Sequence, residues 1–265
     1  MVTVNIQYMF RKIIILIAIL CGFYNCFSQD AFTLQEGGAN LNVIYRNEST
    51  FGLVAHSNGF GVNYRRGRHV TGNRKRVVEF EFVNIRHPKE VKVVNPSPNL
   101  ESAKGFYYGK LNSLLVPRVG VGFQNVLYRK AERKSVEIRY SSFLGASLGL
   151  AKPVYLEIIH ERFVNGDHIV EISTEQYDPL KYTLDDIYGR GPYFKGFDHL
   201  KIYPGGYAKF ALSFEYADLR NDVKVIETGF TVDVYPKVVP LMATTQNHQI
   251  FVNVYVALIY GKKWF

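Results

Sequence analysis

His56 and Ser57 are the residues of this chain that come nearest to a nucleophile with its base. A serine becomes nucleophilic when an imidazole within hydrogen-bond reach takes its proton. Neighbours in an extended chain point to opposite faces, so this pair stands apart unless a turn reorients it. The other histidines, His69, His87, His160, His168, His199 and His248, show no metal-ligand spacing, and His160-Glu161 lacks the second histidine of a His-Glu-x-x-His helix. The Gly120/Gly122 and Gly189/Gly191 pairs lack the strand–loop–helix context of a phosphate cradle. No cofactor and no metal are expected.

The remaining chemistry lies in charges at period two. Glu79, Glu81, Glu137, Glu215, Glu227 and Asp233 fall on the polar faces of alternating segments, as do Arg65, Lys110, Arg118, Arg139 and Lys209. Paired carboxylates on one face suit acid–base work or a narrow ion path. Similar numbers of acids and bases suit an interior ion-pair network instead, because buried charges persist only when paired and hydrogen-bonded.

Long strands must carry these residues. From Ser135 to Leu150, Val136, Ile138, Tyr140, Leu144, Ala146 and Leu148 share one face, opposite Glu137, Arg139, Ser141, Phe143, Gly145 and Ser147. Similar alternation marks 207–217, 225–235 and 252–261. Strands are expected near 50–57, 60–69, 75–93, 106–123, 135–152, 206–219, 223–239 and 248–262. Several pass ten residues, long for a soluble sandwich and suited to a membrane strand. The count is eight and even, so the fold class expected is all-β, an eight-stranded antiparallel transmembrane β-barrel. Asn58-Gly59 is a hairpin signal. The alternative is a single strand over 49–67, with 39–46 as the first strand.

Turns near 70–74, 124–134 and 220–222 then share the periplasmic end, and 94–105 and 153–205 face outside. An eight-stranded barrel is just wide enough for side chains to fill. Within the long outer loop, Asp178, Pro179 and Gly189 carry N-cap, first-turn and C′ signals around the apolar stripe Leu180, Leu184, Ile187 and Tyr188. A short amphipathic helix is expected there. Tyr188, Tyr193, Phe194 and Phe197 offer a loop surface, either capping the mouth or meeting a partner.

Composition agrees. Aromatics are 15% of the 265 residues, with 19 Tyr and 19 Phe, too many for a disordered chain. Arg11-Lys12, the apolar run Ile13 to Cys21 and the small residues Gly22 and Ser28 read as a signal peptide over 1–28, leaving 29–265 as the barrel domain. Cleavage there removes both cysteines and two of the nine net positive charges, leaving about +7. The basic residues sit at strand ends (Arg65-Arg66, Arg74-Lys75-Arg76, Arg129-Lys130, Arg133-Lys134) rather than in one patch. They read as solvated turns, or as contacts to anionic lipid or lipopolysaccharide. Nucleic acid is not an expected partner.

The C-terminus, Tyr255 to Trp264 and then Phe265, resembles the closing strand of bacterial outer-membrane barrels. That resemblance makes Phe265 part of the signal read by the barrel-assembly machinery. Lys262-Lys263 depart from the alternation. The mature chain also resembles outer-membrane barrel proteins of Bacteroidota, on His56-Ser57-Asn58-Gly59-Phe60-Gly61, Arg86-His87-Pro88-Lys89-Glu90, Gly196-Phe197 and Tyr203-Pro204-Gly205. It implies a multi-pass barrel in the outer membrane. Small barrels that deacylate lipid A space their residues His-x-Ser, whereas His56 and Ser57 are adjacent. The function expected is a non-enzymatic structural or accessory subunit with envelope protein partners. The alternatives are a deacylase-like enzyme, a narrow passive pore, or a soluble lipid-binding sandwich.

Overall fold

The computed structural model describes residues 46–95, 104–129, 135–164, 167–216 and 222–264, with the side chains of 162–169 excepted. The signal segment, the lead before residue 46 and Phe265 lie outside the described residues. Among the described residues there are thirteen strands: β1 (Asn47–His56), β2 (Gly59–His69), β3 (Arg74–Ile85), β4 (Lys92–Val93), β5 (Phe106–Tyr107), β6 (Asn112–Tyr128), β7 (Glu137–Pro153), β8 (Tyr155–Val164), β9 (Asp167–Gln176), β10 (Ile187–Arg190), β11 (Lys201–Glu215), β12 (Asp222–Val234) and β13 (Ile250–Trp264).

Eight of them close a barrel in the order β1-β13-β12-β11-β7-β6-β3-β2. Every neighbouring pair is antiparallel, and β1 meets β13 from Asn47↔Trp264 to His56↔Tyr255. This is an up-and-down meander without a free edge, so every wall strand finds ladder partners on both sides.

Both ends of the described barrel chain and the β2–β3, β6–β7 and β11–β12 turns share one end, called here the turn end. The β1–β2 turn and three long connections share the other, the loop end. The β1–β2 hairpin excludes a single strand over 49–67. Its two loop residues are Ser57 and Asn58, because His56 pairs with Gly59.

Strand ends depart from expectation wherever a backbone donor is lost. β3 stops at Ile85 rather than 93, since Pro88 cannot extend a ladder. Instead, the Glu90 N–H donates to the His87 carbonyl at 3.0 Å, and the His87 N–H to Glu90 Oε1 at 3.0 Å. β12 stops at Val234 rather than 239, just before Pro236. The segments near 92 and 106 belong to no wall strand; they pair with each other as the β4–β5 ribbon.

The expected helix over 178–189 is absent. Asp178 still caps, accepting from Leu180 N at 3.0 Å, and Tyr182 N donates to the Asp178 carbonyl at 3.0 Å. One turn forms and then breaks, because Thr183 N turns to Asp186 Oδ2 at 2.8 Å. Ile187 then pairs with Ile158 on β8. An isolated short helix is marginal in water, and the open side of β8 offers Ile187 both a ladder and burial. Leu180 ends 97% exposed and Ile187 fully buried, so the apolar stripe is split.

A small sheet and two apolar clusters cap the loop end. β8, β9 and β10 form a sheet in the order β10-β8-β9. Beneath it Phe106, Leu156, Ile158, Tyr177, Tyr182 and Ile187 make a small core. The 235–249 connection, expected as strand only at its two ends, over 235–239 and 248–249, drops Val239, Leu241 and Met242 against Val83, Ile85, Leu114, Val116 and Phe251. Its course is set by Leu111 N donating to Leu241 O at 2.8 Å and Ala243 N to Gly109 O at 2.7 Å.

Candidate functional site

The alternation that builds the wall also sorts the side chains. Outward residues such as Phe51, Leu53, Phe80, Phe82, Val121, Leu144, Phe230, Val254 and Leu258 are exposed, whereas Asn63, Ser141, Thr231 and Asn253 are buried in the lumen with the charged groups. Over most of the wall the polarity is the reverse of a water-soluble domain, whose large apolar side chains turn inward, although Val54, Val223, Val225, Ala257 and Ile259 form an apolar patch inside.

The lumen holds two charged clusters. The first runs through Glu227, Arg65, Glu79, Lys209, Glu81, Arg118 and Asp233. Arg65 reaches Glu79 at 2.5 Å and grips both oxygens of Glu227 at 2.7 Å. Ser213 and Tyr255 also donate to Glu227, at 2.8 and 2.7 Å. Lys209 donates to Glu79 at 2.9 Å and to Glu81. Arg118 meets Glu81 and binds Asp233 twice, at 2.8 and 2.5 Å. Four carboxylates thus face three cations, and every one of the seven has a charged partner.

Some of these contacts are between strand neighbours, since Arg65 sits opposite Glu79 and Glu81 opposite Arg118. Others are struts across the lumen. Arg65 to Glu227 joins β2 to β12, Lys209 to Glu79 joins β11 to β3, and Arg118 to Asp233 joins β6 to β12; each pair lies three strands apart around the wall. Gly120 gives Tyr207 its place, because a Cβ there would overlap the phenol ring.

The second cluster lies toward the turn end. Arg139 meets Glu137 and, at 2.5 Å, Glu215, which also accepts from Lys263 at 2.6 Å. Lys75 reaches Glu48 at 2.5 Å. Glu48, Lys75 and Lys263 were absent from the sequence-derived set, Lys263 because its strand was expected to end at 262. A cavity of ≈ 20 Å³ between the two clusters, lined by Glu48, Arg65, Arg139 and Glu227, is the size of about one water.

Lys110 does not belong to the lumen. It precedes β6, bridges to Met242, and pairs with Glu90 at 2.6 Å. Burial lowers its pKa, against the pull of Glu90.

The outer loops carry the second surface. Tyr188 is half-buried in β10. Tyr193, Phe194 and Phe197 contact one another edge-on or tilted, with centroids 5.5–6.3 Å apart, and Phe194 is 82% exposed. Lys152 fastens this ledge: its Nζ donates to the Tyr193 carbonyl at 2.6 Å and the Lys195 carbonyl at 3.2 Å, over both the Tyr193 and Phe197 rings. Gly196, at φ 95, makes the bend that presents Phe197.

No catalytic relay is assembled by the candidate pairs. Ser57 Oγ approaches Asn253 at 3.5 Å, and His56 Nδ1 accepts from Asn58 N at 3.3 Å, so the two side chains have different partners. On the outer sheet, His160, Ser173 and Glu175 do meet, a grouping the sequence reading missed. Ser173 and Glu175 both contact His160 Nε2, at 3.0 and 2.7 Å, and Ser173 itself donates to Glu175 at 2.8 Å. A proton relay needs serine and acid on opposite ring nitrogens. Hydrogen bonding from Tyr182, and then from Ser173 and His160, holds the Glu175 pKa down to about 2. Among the described residues no three His, Cys, Asp or Glu side chains are grouped to hold a metal.

No protein-family model matches the sequence, and no curated protein matches it. Among solved structures, Neisserial surface protein A is similar at 9% identity and a TM-score of 0.39, over 82% of this chain and 96% of that one. The attachment invasion locus protein Ail of Yersinia pestis is similar at 8% identity and a TM-score of 0.39, over 83% of this chain and 100% of that one. Ail in complex with the heparin analogue sucrose octasulfate gives 9% and 0.38, with the same coverage.

Proposed function

We propose that the chain is a bacterial outer-membrane β-barrel that acts without catalysis, as a structural or accessory subunit of an envelope assembly. The carrying observation is the reversed polarity of the wall. A closed barrel exposing Phe51, Phe80, Phe82, Leu144, Phe230 and Leu258 while burying seven linked charges is unfavourable in water. In hydrocarbon the same arrangement satisfies both faces. On this reading residues 1–28 direct export and are removed, Phe265 contributes to recognition by the barrel-assembly machinery, and the loop end faces outside, toward lipopolysaccharide.

The lumen favours a subunit over a conduit. Three charged struts cross it and the 235–249 connection covers it, which leaves the outer surface as the part free to act. The ledge of Tyr193, Phe194 and Phe197 is aromatic, rigidly held and exposed, the composition from which protein interfaces draw most of their energy.

The test is purification of the tagged chain from native membranes in mild detergent, beside a Tyr193→Ser/Phe194→Ser variant. Envelope proteins co-eluting in fixed ratio with the parent and lost from the folded variant are expected. A barrel that elutes alone in both cases removes the subunit reading.

A further inference from the structure

The strand register orders the outer wall at its turn end. Tyr260, Phe51, Tyr64 and Phe80 stand side by side on β13, β1, β2 and β3. Two residues further toward the turn end the same strands carry Lys262, Ser49, Arg66 and Val78. Two further again they carry Trp264, Asn47, Arg68 and Arg76. Each step is about 7 Å along the strand. An aromatic row therefore gives way to a cationic rim on one flank.

This rim is internally unfavourable. Arg68 and Arg76 are direct cross-strand partners, both exposed, and like charges placed opposite each other destabilise a sheet. Among the described residues none of Arg66, Arg68 and Arg76 has an ion-pair partner. These rows hold no carboxylate; the neighbouring β12 sets Asp222 opposite Lys262, which leaves the three arginines as the uncompensated part of the rim. The lumen, a few ångströms inward, pairs every charge it holds. An uncompensated rim on such a protein marks a place where the counter-charge comes from outside.

Resting on the membrane-barrel reading above, we propose that Arg66, Arg68 and Arg76 bind the phosphates of anionic phospholipid in the leaflet at the turn end. The aromatic row gives the depth. Tyrosines of transmembrane barrels sit where hydrocarbon meets headgroups, which places the rim at the level of the phosphates. Guanidinium groups match phosphate oxygens two at a time. The anion bridges Arg68 and Arg76 and turns their repulsion into a shared site.

The experiment compares the full mature chain with Arg68→Gln/Arg76→Gln, folded in zwitterionic detergent and checked by the heat-dependent gel shift. Each is given equal phosphatidylglycerol and phosphatidylethanolamine, and retained lipid is counted by native mass spectrometry. The parent is expected to favour phosphatidylglycerol by roughly tenfold or more, and the variant to lose that preference. Unfolding in vesicles gives a second reading. In pure phosphatidylcholine the variant should be the more stable, since repulsion is relieved; with phosphatidylglycerol added, the order should reverse. Equal retention by parent and variant overturns the proposal. So does a variant that loses bound lipopolysaccharide but not phosphatidylglycerol. If the parent inserts into vesicles but shows no headgroup preference, this inference alone falls; if it never inserts, the membrane reading falls with it.

Discussion

Arg65 on β2 and Glu227 on β12 are joined by two hydrogen bonds of 2.7 Å across the lumen, with three strand steps of wall between them. No ladder contact relates these residues. Their pairing comes from closure of the sheet, and it ties opposite walls together.

Removing one partner should therefore cost more than removing both. Glu227→Ala leaves a buried guanidinium short of its acceptor and strips Ser213 and Tyr255 of theirs. A loss of about 3–5 kcal/mol is expected in urea unfolding followed by gel shift. Arg65→Met/Glu227→Met should lose less than Glu227→Ala alone, because Glu79 keeps Lys209. Additive losses would show that the two do not act as a pair.

The lumen should not conduct. In planar bilayers the protein is expected to give no resolved single-channel steps, even after residues 238–246 are replaced by a short glycine–serine linker. The cap is then gone, but the three struts still cross the interior. Steady channel openings in the parent would contradict the packing described here.

Glu175 makes the outer sheet sensitive to acid. Its folded pKa, near 2, lies below its ordinary value of 4.5, so its contribution is present above about pH 4.5 and is lost as pH falls toward 2. After solvent screening this amounts to about 0.5–1 kcal/mol. Hydrogen exchange of the β8–β9 amides should quicken across that window and should lose the dependence in Glu175→Gln. An unchanged profile in the variant would assign the transition to another group.

Lys152→Met should loosen the aromatic ledge without unfolding the barrel. It removes two hydrogen bonds to the carbonyls of Tyr193 and Lys195. Proteolysis within 190–200 is expected to accelerate several-fold while the gel shift persists. Equal cleavage would show that the ledge is held by its ring contacts instead.

The pair His56 and Ser57 should be silent in lipid chemistry, since Ser57 turns to Asn253. Lipid A from a His56→Ala strain is expected to match the parent by mass. A changed acylation pattern would restore the enzymatic reading.

Much of this was legible along the chain. Period-two alternation from 135 to 150 and from 207 to 217 assigns wall strands, and it places Glu79, Arg118, Lys209 and Asp233 on polar faces before any contact is known. The hairpins also had local signals. Asn58-Gly59 marked the first, although the loop residues proved to be Ser57 and Asn58. Within the long outer loop, the capping signals at Asp178 and Gly189 pointed to a helix where one turn and then β10 form. Local capping energy is about 1 kcal/mol, too small against a ladder and the burial of Ile187.

The sequence by itself determined that the chain alternates, how many wall strands it supplies, and which face most side chains take within a strand, because side-chain direction in a strand has a strict period of two. Only the tertiary structure decided which charges meet across the lumen, that Lys110 lies outside it, that residues 235–249 cover it, and that Arg68 faces Arg76. The lumen and cap relationships depend on closure, through which residues more than a hundred positions apart become neighbours; Arg68 and Arg76, only eight positions apart, are set by the register of the β2–β3 hairpin. Period alone sorts side chains to faces; it does not choose their partners.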